Sequence, residues 1–162
     1  MLQGLISFPS FGFDLKEHIA TIYDSGTEPV SCTTIASIGK AVAVSLKKPK
    51  ETKNRWLRIS DTYTNQVEIL SALEKETGKT WKKLMVSTDD VMKDARTKMA
   101  QGDFIGGYLG FMAVQFFTEG AGRSIVCTAD NSDNDLLGVV VENTDSVVKR
   151  VILETSSTEK SA

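Results

Sequence analysis

Three titratable side chains lie in or beside a strongly apolar segment of the chain. Asp103 precedes the segment, Tyr108 lies inside it, and Glu119 follows it. A carboxyl group or a phenol held against a substrate can transfer a proton in the transition state, and an apolar pocket can orient an uncharged substrate for reaction. These three residues are therefore candidate catalytic groups for a cofactor-independent isomerase or cyclase that acts on an apolar metabolite.

The rest of the sequence holds little catalytic machinery of other kinds. His18 is the only histidine and no Gly-x-Ser-x-Gly turn occurs, so we expect His18 to be exposed or packed without a chemical role. Acidic residues cluster at 89–90 and at 130–135, but their spacing matches no calcium loop. We interpret the first cluster as helix capping and the second as a solvated loop, and we predict no metal site.

Glycine-rich segments do not match a dinucleotide loop. Such a loop places glycines between a strand and a helix, so that a pyrophosphate can approach backbone N–H groups. Gly106 and Gly110 instead lie inside the apolar segment, where they predict close helix packing, and Gly120-Ala121-Gly122 follows a helix. No tyrosine is followed four residues later by lysine, the acid–base pair usual in short-chain reductases. We therefore expect no cofactor-binding residues in this chain.

Composition indicates one globular domain without an evident macromolecular ligand. The 162 residues are 41% hydrophobic and 25% charged, with a net charge of −2, which gives no general attraction to nucleic acid or to an anionic membrane. The longest apolar run, Phe104–Phe117, is shorter than the roughly 20 residues of a membrane span. Cys32 and Cys127 form no zinc or redox motif. Because no secretory signal is recognisable, we expect a cytoplasmic protein.

Alternating strand and helix patterns predict an α/β or α+β fold with a small mixed sheet and about five helices. The predicted strands are 19–23, 30–35, 55–60 and 81–87. The predicted helices are 36–47, 65–77 between an N-cap at Thr64 and a left-handed Gly78, 88–101, 104–118 with Asp103 as its cap, and 144–153, and 129–135 is predicted to be a loop. Apolar residues at helical spacing should form buried stripes, at 38, 42 and 46 and at 67, 70 and 73. We interpret 1–14 as irregular or a short helix, 1–154 as a single domain and 155–162 as a disordered tail.

Several short segments, read in order, carry a family resemblance over nearly the whole chain. They are FGFDL (11–15) with ATIYDSG (20–26), TTIASIGKAV (33–42), EILSALE (68–74) with TGK (77–79), GDF (102–104), and NDLLG (134–138) with VVKRV (147–151). Together they resemble the C-terminal portion of the fungal NmrA-like, isoflavone-reductase-like proteins. The resemblance implies an incomplete NmrA-like fold.

Members of that family are atypical short-chain reductases, and some are regulators that bind a dinucleotide without catalysis. The resemblance implies that NADP(H), the glycine loop and the catalytic lysine belong to an upstream Rossmann half, so that this chain holds no cofactor. By analogy, the apolar helix would face an apolar small molecule; the alternative is that its side chains are simply core. The implied substrate-binding residues are Phe104, Tyr108, Phe111, Met112 and Phe116.

The resemblance also bears on partners and function. Strands near Val30 and Trp56 would join a sheet whose central strands are absent, and uncovered edges and apolar faces are costly. We therefore expect a homodimer or a complementing chain. Three functions are open: a truncated NmrA-like homologue that acts as a binding or assembly module, the isomerase or cyclase described above, and a fragment of a longer NADP-dependent reductase.

Overall fold

Seven α-helices and five short strands make up residues 12–159, the part of the chain that the computed structural model describes, with only the backbone described for 129 and 156–159. The strands are β1 (Phe13–Asp14), β2 (Ile19–Tyr23), β3 (Val30–Cys32), β4 (Thr62–Thr64) and β5 (Lys82–Val86). The helices are α1 (Ile35–Lys47), α2 (Pro49–Thr52), α3 (Gln66–Thr77), α4 (Thr88–Ala100), α5 (Phe104–Phe117), α6 (Asn134–Leu137) and α7 (Thr144–Glu159). The predicted mixed fold is confirmed: five of these helices are long, and α2 and α6 add four residues each.

The strands form two small sheets, one of three strands and one of two. In the first sheet β2 lies between β1, to which it is antiparallel, and β5, to which it is parallel. In the second, β3 and β4 are antiparallel, with Ser31 opposite Tyr63. The side chain of Gln66, buried at the start of α3, accepts a hydrogen bond from Tyr23 N at 2.9 Å and donates one to Thr21 O at 3.0 Å. The side-chain amide of Gln66 thus provides hydrogen bonds to two backbone groups of β2 beyond the end of β1.

The main core lies where β2, α3, α5 and α7 meet. Phe13, Ile69, Leu73 and Phe117 are among its largest side chains, and each is almost fully buried. The Phe117 ring stacks on Tyr23 with 5.3 Å between ring centroids and an interplanar angle of 8°. Each such side chain contributes about 1.5–3 kcal/mol by leaving water, so this cluster holds the long helices against the sheet.

Capping side chains and glycines set the ends of α3 close to their predicted places. The N-cap is Asn65, whose side chain accepts from Glu68 N, and not Thr64, which ends β4. Gly78 ends the helix in the left-handed region with φ 65°, as predicted. The buried stripe is also shifted, because Val67 is exposed while the neighbouring Ile69 is fully buried.

Helices α4 and α5 pack as an antiparallel pair, and glycines of α5 allow them to approach. A Cβ added at Gly110 would lie 2.7 Å from the Cβ of Ala95, and one at Gly107 would lie 2.7 Å from the Sδ of Met99. Close packing at Gly110 is therefore confirmed. Gly106 has a different role, because a Cβ there would meet the Asp103 carboxylate that caps α5.

The strand predicted at 55–60 is wrong. The segment has no strand structure, and Trp56 is 92% exposed. Side chains of the α6 region take the hydrogen bonds that a strand would need: Asp133 accepts from Arg58 N at 2.9 Å, and Asn134 accepts from Ser60 N and donates to Ser60 O. The strand of this region is β4, further along the chain.

Other differences concern the ends of elements and the face of one helix. The run predicted to be extended over 30–35 is a strand only over β3, because α1 begins at Ile35. The loop predicted at 129–135 contains the 3₁₀ turn Ala129–Asn131 and the start of α6. Helix α7 continues to Glu159 instead of ending near 153. The predicted structure of 1–11 and the end of the predicted tail, 160–162, lie outside the described residues.

Helix α1 forms as predicted, but its apolar stripe is not buried. Ile38, Val42 and Leu46 are all exposed, and the one buried residue of the helix is Ala41. Ala41 packs with Leu137 in a second, smaller apolar cluster. The face that the apolar spacing marks as interior therefore lies on the surface of the described part of the chain.

Candidate functional site

The start of α1 is the first place where a strand leads into a helix, and a carboxylate occupies it. The fully buried Asp61 accepts hydrogen bonds from Thr34 N at 2.8 Å and from Thr34 Oγ1 at 2.6 Å. Desolvation raises the pKa of this carboxyl group, but hydrogen bonds from Thr34, Ser37 and Thr62 outweigh that effect and hold the pKa below its ordinary value. Asp61 is therefore an anion at neutral pH.

The start of α4 repeats this arrangement. Asp24 follows β2 with a φ of 50° and accepts from Thr88 N at 2.8 Å and from Thr88 Oγ1 at 2.7 Å. Glu119 N adds a third hydrogen bond at 3.2 Å. Desolvation again raises the pKa of this carboxyl group, but the hydrogen bonds from Thr88 and Glu119 lower it by more. The pKa of Asp24 therefore lies below its ordinary value.

The connections from a strand to the following helix are the places where a dinucleotide phosphate could bind at a helix start. A pyrophosphate needs free backbone N–H groups beside glycines, and it is repelled by nearby anions. The junctions from β3 to α1 and from β5 to α4 contain no glycine, and Asp61 and Asp24 accept hydrogen bonds there. Asn65 caps α3, and Glu68 lies in its first turn. Within residues 12–159, the three strand-to-helix junctions do not suit a dinucleotide phosphate.

One glycine loop does hold an anion, and that anion belongs to the chain. Gly120 and Gly122, at φ 72° and 61°, donate their backbone N–H groups to the two carboxylate oxygens of Glu28, both at 2.7 Å. Glu28 is buried. Two backbone amides directed at one carboxylate form an anion-binding concavity, and here it fastens the loop after α5 to the segment before β3.

The five implied substrate-binding residues all lie on α5, with exposure that falls along the helix. Phe104 and Tyr108 are exposed, Phe111 and Met112 are half-buried, and Phe116 packs against the main core. Neither of the two clefts considered next is lined by a residue of α5. The structure does not gather these side chains around either cleft, and their contact with a substrate stays a prediction.

The three candidate catalytic groups are spread along the same helix. Asp103 caps α5 through a hydrogen bond from Gly106 N at 2.9 Å, Tyr108 lies one turn further on, and Glu119 lies beyond the last turn. A helix of 14 residues is about 21 Å long. Asp103 and Glu119 therefore cannot serve one reacting atom, and this separation does not favour an isomerase or cyclase that uses both.

Two clefts flank α1. The larger, about 440 Å³, lies between the start of α1 and α7, and Lys40, Glu142, Arg150 and Glu154 give it a charged lining. Arg150 donates two hydrogen bonds to the Glu142 carboxylate, at 2.9 and 3.1 Å. The smaller cleft, about 180 Å³, is an apolar groove. Its lining residues are Ile38, Ala41, Val42, Ser45, Leu57, Ile59 and Leu137.

Histidine and cysteine chemistry finds little support in the geometry. His18 packs edge-on against Trp81, with 5.4 Å between ring centroids. Both cysteines are buried free thiols, and burial raises the pKa of Cys32 to about 12. Over residues 12–159, no three His, Cys, Asp or Glu side chains are placed to hold a metal ion, and no helix of that range is long and apolar enough to cross a membrane.

Two fungal proteins are similar to this chain over most of its length. Oxidoreductase poxI of Penicillium oxalicum is 37% identical over 147 residues, which are 90% of this chain and 46% of poxI. Oxidoreductase aprR of Aspergillus flavus is 32% identical over 143 residues, 87% of this chain and 47% of aprR. The chain is homologous to fungal oxidoreductases. It spans about half the length of these relatives. No family model matches it, and no solved structure matches it significantly.

Sequence analysis did not find the carboxylates that organise the helix starts. Asp24 belongs to a turn that the sequence marks by Asp-Ser-Gly, but its bonds to Thr88 join residues far apart in the chain. Asp61 and Glu28 have no spacing signal at all, because their partners lie 27 and more than 90 residues away. Long-range hydrogen bonds of this kind are set by the tertiary fold and leave no local pattern.

Proposed function

We propose that this chain is the substrate-side portion of an NmrA-like, isoflavone-reductase-like oxidoreductase, and that it acts as a binding or assembly module without hydride transfer of its own. Its similarity to about half of poxI and aprR supports the link to oxidoreductases. The observation that carries the rest is the pair of carboxylates, Asp24 and Asp61, bound at the starts of α4 and α1. They hold the positions that a dinucleotide phosphate would need.

On this proposal, NADP is bound by polypeptide other than residues 12–159. In support, none of the three described strand-to-helix junctions suits a dinucleotide phosphate, and the family resemblance implies that the catalytic lysine lies upstream. What this chain contributes is apolar surface, on α5 for a small molecule and on α1 for a partner. A protein of this kind works in the cytoplasm, where NADPH is supplied.

A fluorescence titration tests the absence of independent cofactor binding. The chain has two tryptophans, the exposed Trp56 and the buried Trp81, and NADPH absorbs where tryptophan emits. We expect no saturable quenching up to about 100 µM NADPH after correction with free N-acetyltryptophanamide, because a carboxylate already lies at the starts of α1 and α4 and Asn65 caps α3. The Trp56→Phe variant separates surface quenching from quenching near the core. Saturable binding in the micromolar range would overturn the proposal.

A further inference from the structure

The outer face of α1 is an apolar stripe on the surface of the described chain. Ile35, Ile38, Val42 and Leu46 follow helical spacing, and their exposure ranges from 45% at Ile38 to 78% at Leu46. A stripe of this kind normally faces a core. A contiguous row of exposed apolar side chains is one mark of a contact surface for another protein.

An apolar groove lies beside this stripe and continues it. Ile38 and Val42 form one wall, and Leu57, Ile59 and Leu137 form the opposite side. The 55–60 segment that makes this wall is fixed by Asp133 and Asn134, so the groove is built by hydrogen bonds and not by loose chain. We call the stripe and the groove together the α1 face.

Charge around the α1 face restricts what can cover it. Helix α1 carries Lys40 and Lys47 and no acidic residue, and the next six residues hold three more lysines and one acidic residue, Glu51. A second copy of α1 packed in parallel on the first would bring the two lysine-rich ends together, which like-charge repulsion disfavours. A fitting partner offers apolar residues at its centre and acidic residues at its edge.

We infer that the α1 face docks the polypeptide that makes up the unmatched half of relatives such as poxI. This inference rests on the proposed function. The relatives are about twice as long as the segment they share with this chain, so each holds a further body of polypeptide large enough to cover an apolar face. On this inference the occupant is that body, and its contact surface is expected to offer acidic residues opposite Lys47.

A capture experiment tests the occupant directly. The tagged protein is co-expressed with the unmatched half of poxI, and the co-purified fraction is measured. We expect capture by the wild type, at least a tenfold loss in Ile38→Glu and in Leu46→Glu, and wild-type capture in Val126→Glu, an equally apolar and exposed position away from α1. Equal capture by all variants, or no capture of a soluble half, overturns the inference.

A chimera keeps the test decisive if the isolated half of poxI is insoluble. In full-length poxI the matched segment is replaced by this chain, with and without Leu46→Glu. We expect the substitution to lower the Tm of the chimera by at least about 5 °C, because a buried charge is costly, and to leave the Tm of the free chain within about 1 °C. Equal shifts in both proteins overturn the docking inference.

Two further readouts separate this inference from the proposed function. Light scattering of the free chain tests self-association: a dimer that Leu46→Glu breaks would assign the face to a second copy and overturn the inference. NADPH binding by the free chain overturns the proposed function, whatever the capture result. If capture fails but the free chain does not bind NADPH, the docking inference is overturned and the proposed function is not.

Discussion

Asp24 and Asp61 make the same pair of hydrogen bonds at the starts of two different helices. Each carboxylate accepts from a threonine amide and from the hydroxyl of the same threonine, Thr88 for Asp24 and Thr34 for Asp61, at 2.6–2.8 Å. Each also interacts with the positive end of a helix. The two residues therefore join distant parts of the chain and close the helix starts to other anions.

Replacing Asp61 should destabilise the protein. In Asp61→Asn the side chain loses its charge and one acceptor oxygen, so we expect the free energy of unfolding to fall by about 1.5–3 kcal/mol. Urea denaturation monitored by circular dichroism measures the change. Asp130→Asn, at an exposed position, is the control and should stay within about 0.5 kcal/mol of wild type. Equal stability of Asp61→Asn and wild type would contradict the role assigned to this carboxylate.

Acid should weaken the fold through Asp24 and Asp61. The folded state lowers the pKa of both groups, so their stabilisation is complete above the unfolded value of about 3.9 and is lost as the pH falls through the lower folded values. We expect the urea midpoint to drop as pH decreases below about 4.5. Asp24→Asn should show a shallower decrease than Asp130→Asn; identical pH profiles would show that Asp24 makes no contribution.

Cys32 should be unreactive while the protein is folded. Burial raises the pKa of its thiol to about 12, so at pH 8 almost none of the reactive thiolate is present. In Cys127→Ala, where Cys32 is the remaining cysteine, we expect reaction with Ellman's reagent to be at least about 100-fold slower in buffer than in 8 M urea. The reciprocal Cys32→Ala variant gives the rate of Cys127 separately. Rapid labelling of native Cys32 would contradict its burial.

Two glycines should respond in opposite directions to the same substitution. Gly110→Ala places a Cβ 2.7 Å from that of Ala95, and we expect a loss of roughly 1–3 kcal/mol from overpacking of α4 against α5. Gly39→Ala, in the middle of α1 with no atom within 4 Å of the added Cβ, should gain about 0.5–1 kcal/mol from helix propensity. Thermal unfolding of both variants checks the pair, and stabilisation by both would show that α4 and α5 are further apart.

Local patterns predicted those elements whose stability is also local. The alternation of β2, the Asp103 cap of α5 and the left-handed Gly78 are each set by neighbouring residues, and the structure confirms them. The 55–60 segment has a strand-like pattern, but Asp133 and Asn134, more than 70 residues away, take its hydrogen bonds. Spacing can identify an apolar face of α1, but it cannot say what covers that face.

The same distinction applies to the candidate site. The order of glycines along the chain is local information, and among the described residues the junctions from β3 to α1 and from β5 to α4 contain no glycine, in line with that order. The predicted helix over 104–118 already places Asp103 and Glu119 at opposite ends, as α5 does. The sequence could not show that Glu28 fills the loop at Gly120 and Gly122, because this contact joins residues more than 90 positions apart.

The pairing of β2 with β5 determines when the three-stranded sheet can form during translation. Ile19 pairs with Lys82, about sixty positions later, and a two-stranded hairpin of β1 and β2 alone is marginal in water. The growing polypeptide must therefore emerge from the ribosome past Val86 before its first sheet can close. Until then β2 has only the two-residue strand β1 as a partner.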